Sequence, residues 1–177
     1  PCTVPSSIND CTSFVFSSLS LLLYPTVSDY WNSFHQSRAI ASYAETVAEI
    51  NNVDYEQIWN DAVKYNRKWA AKDRRWSMSE EEIAEYERLL DVSGNGIMGY
   101  IEIPEIKVSL PVYHGIDEGV LQIAVGHLPE TSLPVGGKGT HCVISGHRGL
   151  PSAKLFTDLD QLVEGDIFIM RVLDEDR

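Results

Sequence analysis

Cysteine is scarce in this chain: Cys2, Cys11 and Cys142 are the only three, and no two form a CxxC pair. That excludes a disulfide framework and a cysteine-based zinc site, and leaves the redox compartment open. No metal and no other cofactor is expected. Positive charge is also short, with 14 Lys and Arg against 26 Asp and Glu and a net charge of −12. Nucleic-acid backbones are bound by clustered Lys and Arg, so a nucleic-acid partner is excluded. No Lys or Arg precedes Arg38, and no basic flank marks a membrane orientation. Long apolar runs are missing too. Residues 12–27 (TSFVFSSLSLLLYPTV) are apolar apart from small hydroxyl residues, but a spanning helix needs about 20 such positions. The stretch reads either as an incomplete membrane anchor, which we adopt, or as a buried helix. Pro1 stands where a start Met would, so the natural start is expected to lie elsewhere.

What the chain does have is enough apolar material, 44% of its residues, for a core of ordinary size. A compositional break near residue 95 divides it. Glycine and proline are absent from residues 29–90, whereas residues 97–177 are rich in Gly, Pro and β-branched residues. The first part reads as helices and the second as short strands joined by turns. Tyr55, Ile58, Ala62, Tyr65 and Trp69 alternate spacings of three and four, one apolar stripe on one helix. Asp54 with Gln57 is the expected capping box of that helix, and Ser79 with Glu82 that of a short third helix through Leu90. A first helix over about residues 29–50 is expected to bury Phe34, Ala41, Ala44 and Ala48. Strands are expected at 98–104, 108–113, 140–145 and 167–173, in a mixed or antiparallel, barrel-like sheet. A closed barrel needs more than four strands, so this one is expected to be unfinished.

Two loops imitate ligand sites. Asp91–Glu102 (DVSGNGIMGYIE) fits an EF-hand calcium loop by position, but YIEIP alternates like a strand and Pro104 stops a following helix. A glycine-rich turn feeding a strand is the better reading. Leu133–Thr140 (LPVGGKGT) lacks the spacing of a phosphate-binding loop. Of the histidines, His35 reads as a surface residue and His114, His127 and His141 as structural. His147 is different: SGHRG sets an imidazole between glycines after an apolar strand, which allows tight turns and close approach of a substrate chain. Cys142 is no partner for it. Five residues apart on a strand, the two side chains face opposite ways at roughly 16 Å, and a thiolate–imidazole pair needs about 3 Å. Cys142 is expected to be a small buried hydrophobe.

The series MGYIEIPEI (98–106), LPVYHG (110–115), VGHLPETSLPVGG (125–137), THCVISGHRGLPSAKLFTDLD (140–160) and EGD (164–166) resembles the class C, pilus-assembling sortases. The resemblance implies an eight-stranded barrel preceded by helices and a membrane anchor, outside the membrane of a Gram-positive bacterium. It implies a cysteine transpeptidase that cleaves LPxTG-type sorting signals and joins pilins through acceptor lysines as isopeptide bonds. His147 falls on the family's catalytic histidine. The family's TLxTC-like cysteine and its arginine have no match here, and Arg148 is not that arginine. The chain is therefore expected to be C-terminally truncated and inactive alone. The class C lid, with an Asp-Pro-aromatic motif, makes Asp73 and Trp76 lid candidates, although no proline separates them.

The expected architecture is α+β, with N-terminal helices packed on an incomplete sortase-type barrel of mostly antiparallel strands. Residues 1–28 are read as a residual anchor, 29–92 as a helical region with the lid, and 93–177 as the first part of the barrel. The rival reading is a non-catalytic remnant that binds sorting-signal peptides or pilin partners without turnover.

Overall fold

The computed structural model describes residues 7–72, 77–173 and 175–176. Helix α1 (Ser7–Ala48) is one 42-residue helix that runs through Pro25, far longer than the segment expected over 29–50. Its first half is exposed from Phe14 to Tyr24, so residues 12–27 are not a buried helix. Nor is any helix among the described residues long and apolar enough to cross a membrane. The expected stripe is corrected as well. Phe34, Ala41, Ala44 and Ala48 face solvent, and Tyr43 and Val47 are buried instead. Polar residues continue that inner face: Asn32 donates to Ser152 O and Gln36 to Ile123 O, so hydropathy alone hides it.

Helix α2 (Asn52–Ala70) buries Ala62, Tyr65 and Trp69 on the expected stripe. Its cap is Asn51 rather than Asp54. The Asn51 side-chain oxygen accepts from the Val53 and Asp54 amides, and its Nδ2 donates to the Asp54 carboxylate. Helix α3 (Glu80–Arg88) opens with the expected Ser79/Glu82 capping box. Helix α2 grips one irregular segment of the second half. Asn66 donates to Leu133 O and accepts from Leu133 N, and the Trp69 indole donates to Glu130 O.

The strands are β1 (Ile97–Ile103), β2 (Val108–His114), β3 (Val125–His127), β4 (Ile144–Ser145), β5 (Ile169–Val172) and β6 (Glu175–Asp176), with a short helix α4 (Glu118–Leu121) between β2 and β3. They form one sheet in the order β4-β3-β2-β1-β5-β6. All pairs are antiparallel except β2 with β3, which run parallel with Val112 opposite Val125. The sheet is open, because β4 and β6 are unpaired edges. The strand expected over 140–145 is only Ile144–Ser145, although residues 141 and 143 still bond to 128–132 through Ser132 N to His141 O and Leu128 N to Val143 O.

One hydrophobic core runs through both halves, from Tyr43 and Trp69 to Ile101 and Val172. Buried Tyr43 is its pin: the hydroxyl donates to Met98 O and accepts from Leu173 N, tying α1 to two strands. The EF-hand-like segment is the expected turn. Asp91 accepts from the Gly96 amide, and Glu102 lies in β1 paired with Arg171.

Candidate functional site

His147 follows β4 by two residues and is half-buried. Its Nε2 is buried and finds no hydrogen-bond partner among the described residues. Such an atom forfeits its bonds to water, a cost of about 1–3 kcal/mol that native structures rarely leave uncompensated. A ring nitrogen kept free in this way can exchange a proton with a group brought to it.

The glycines flanking His147 do what the sequence suggests, with a change of neighbour. A Cβ on Gly146 would lie 2.6 Å from Val125 Cγ1 and 2.9 Å from Phe156 Cδ2. The close approach is therefore made by the chain's own side chains. Gly149 turns the chain at φ +76°. Arg148 Nη2 is spent on Asp160 Oδ2 at 2.7 Å, an exposed pair that leaves it no role over the imidazole.

The other histidines have different surroundings. His127 is fully buried, with Nδ1 3.0 Å from the Tyr86 hydroxyl and Nε2 2.8 Å from Ser132 O. Burial holds it down to about 4, so it is neutral and structural. The ring nitrogens of His114 lie 2.9 Å from Gly96 O and 2.8 Å from Leu89 O. His35 and His141 are exposed.

Cys142 is the principal correction at the site. It is exposed, not a small buried hydrophobe. It lines an open apolar groove of about 540 Å³ with Ile101, Ile103, Ile144, Phe168 and Met170. Although the residue is open to solvent, apolar atoms crowd its sulfur, and desolvation of a thiolate pushes the thiol up to about 12. Desolvation thus favours its thiol form over a nucleophilic thiolate. Sequence inspection missed the groove because its walls come from β1, β4, β5 and the 156–168 segment, each an ordinary apolar stretch alone. The lid candidates Asp73 and Trp76 lie outside the described residues.

A family model described as the sortase domain matches residues 101–177. Sortase C1 from Streptococcus agalactiae is 45% identical over 78% of this chain and 72% of its own, with a TM-score of 0.76. The chain belongs to the class C sortases. Sortase C from Streptococcus pneumoniae is 38% identical over 78% of this chain and 70% of its own, with a TM-score of 0.68. A lid-mutant of the S. agalactiae sortase C1 is 39% identical over 77% and 70%, also with a TM-score of 0.68. A comparison with curated proteins finds no match. Class C sortases are cysteine transpeptidases, and the helices with the mostly antiparallel sheet of this chain align with 72% of one of them.

Proposed function

We propose that this chain supplies the histidine half of an LPxTG-directed transpeptidation site, with His147 as the proton-transfer residue. The observation that carries the reading is the buried, unpartnered Nε2 at the end of β4 in a class C sortase fold. In the reaction a cysteine sulfur attacks the Thr–Gly carbonyl of the sorting signal. The C–N bond breaks, the leaving amine takes a proton from the imidazole, and a thioester remains. A pilin lysine amine then attacks the thioester, returns a proton to the imidazole, and an isopeptide bond replaces the C–S bond. The reacting cysteine belongs to a TLxTC-like strand and the oxyanion-stabilising arginine lies shortly beyond it; the 177 residues match neither.

Several finer readings rest on the same family membership. The partners are pilins with LPxTG-type sorting signals and acceptor lysines, as the pilin specificity attributed to the S. pneumoniae enzyme supports. The site of action is the outer face of a Gram-positive membrane. One related sortase carries a lid, and Asp73 and Trp76 are the candidates for that role here. Residues 1–28, 29–92 and 93–177 serve as leader, helical cover and first barrel portion.

The test joins residues 1–177 to the cysteine- and arginine-bearing segment of S. agalactiae sortase C1 and measures LPxTG-peptide cleavage. The fusion turns over, and His147→Ala lowers its rate by at least about 100-fold, the scale of a lost general acid–base. The 177-residue chain alone shows no cleavage. Turnover by the chain alone that Cys142→Ala abolishes, or full activity of the His147→Ala fusion, refutes the reading.

A further inference from the structure

The backbone that carries His147 makes a compact excursion before it reaches residue 160. Three bonds close its neck. Phe156 N–H donates to His147 O at 3.2 Å, Gly149 N–H to the Thr157 hydroxyl at 3.0 Å, and Arg148 to Asp160 at 2.7 Å. The tip, Ser152–Lys154, is held from outside by helix α1. Asn32 Nδ2 donates to Ser152 O at 2.7 Å, and Lys154 N–H donates to Asp29 Oδ1 at 2.7 Å. Asp29 and Asn32 stand three apart on α1, hence on one face. One offers an acceptor and the other a donor. Between the two backbone groups they satisfy, Ala153 is 2% exposed.

A short covalent path leads from that anchor to the imidazole. The Lys154 amide is bound by Asp29, while its carbonyl accepts from Thr157 N–H at 2.8 Å and its side chain pairs with Asp158. Leu155, the next residue, is 2% exposed with φ +38°, a left-handed conformation unfavourable for an L-residue. It persists because both of its neighbours are held. Phe156 comes next; its amide binds His147 O, and its ring fills the space a Cβ on Gly146 would need. Loss of the Asp29 bond would remove one of the groups that hold Lys154, next to Leu155 and two residues from Phe156, whose amide binds His147 O.

Resting on the reading of His147 as the proton-transfer group, we propose that Asp29 and Asn32 of helix α1 are positioning residues for His147. The helix upstream of the sheet thereby sets the orientation of the imidazole, through the Lys154–Phe156 backbone.

The experiment uses the 177-residue chain and nuclear magnetic resonance of its histidine rings and amides. In Asp29→Ala with Asn32→Ala, the His147 ring cross-peaks shift and broaden, and exchange of the Lys154 and Phe156 amides rises about tenfold, as expected for a lost hydrogen bond. Asp29→Asn keeps an acceptor oxygen and retains the parent spectrum. The His114 and His127 rings, held by other bonds, report the global fold and stay unchanged. If the double variant fails to fold, Asp29→Ala alone carries the same readout. Accelerated Lys154 exchange with unmoved His147 cross-peaks overturns the proposal, as does Asp29→Asn behaving like Asp29→Ala. Neither readout depends on turnover, so a failed cleavage assay and a failed coupling are separate results.

Discussion

On one face of the sheet, Tyr100 meets Tyr43 of helix α1 edge-on, and Pro111 and Tyr113 line a cavity with Trp31 and His35. On the other face, Ile101, Ile103 and Met170 look into the groove beside Cys142. Alternation along β1 and its neighbours puts comparable apolar weight on both faces. The difference lies in the cover. Helices bond into the first face and its ends at Ser152, Ile123, Met98 and Leu133, so many of its contacts are directional. Among the described residues no α-helix lines the groove, and Phe168 at its edge is 64% exposed. Stability should therefore be concentrated under the helices rather than around the groove.

The sharpest test of that division removes a helical anchor. Trp69 is 3% exposed, stacks on Tyr65 and donates to Glu130 O. Trp69→Ala should cost about 4 kcal/mol, the range for deleting a buried aromatic, as read by urea unfolding. A loss below about 1 kcal/mol would show that the helices merely lie on the sheet.

A somewhat smaller effect comes from pH, at the same covered end. His127 is held down to about 4 against an ordinary value of 6.5, chiefly by burial, with electrostatic interaction with His114 a lesser cause. The unfolded chain binds this proton below its own value while the native chain still excludes it. Stability is thus fully present above about pH 6.5 and is lost as pH falls towards 4, by about 3 kcal/mol in all. His127→Gln should flatten that part of the stability–pH curve. An unchanged slope would place the acid sensitivity elsewhere.

Legibility in the sequence follows the same division. The α2 stripe and the Ser79/Glu82 cap could be read because each is local: a period of 3.6 residues, or a hydroxyl three residues before a carboxylate. Helix α1 was half hidden because Asn32 and Gln36 occupy its inner face as hydrogen-bond donors, which a hydropathy pattern scores as solvent-facing. Strand β3 has three residues and pairs in parallel, too short for alternation to register. His147 stood out through its glycines. Its connection to Asp29 did not, since 118 positions separate them (147 − 29), and only the folded chain brings Lys154 to the helix. Cys142 was misjudged because the period-2 pattern of THCVIS marks an apolar face without saying whether anything covers it.

The smallest expected effect belongs to the open face, where a null result in stability is informative. Phe168 lines the groove yet remains mostly in water, so removing its ring gives up little burial. Phe168→Ser should change unfolding free energy by no more than about 0.5 kcal/mol, against the several expected at Trp69. It should nevertheless weaken binding of a hydrophobic dye and lower any self-association, because an exposed apolar patch attracts partners in proportion to its area. The two readouts move independently only if the groove is apolar surface that the rest of the chain leaves uncovered. A loss of 2 kcal/mol or more with Phe168→Ser would mean that the ring is buried in solution, and that the groove closes on itself rather than waiting for a strand or a ligand.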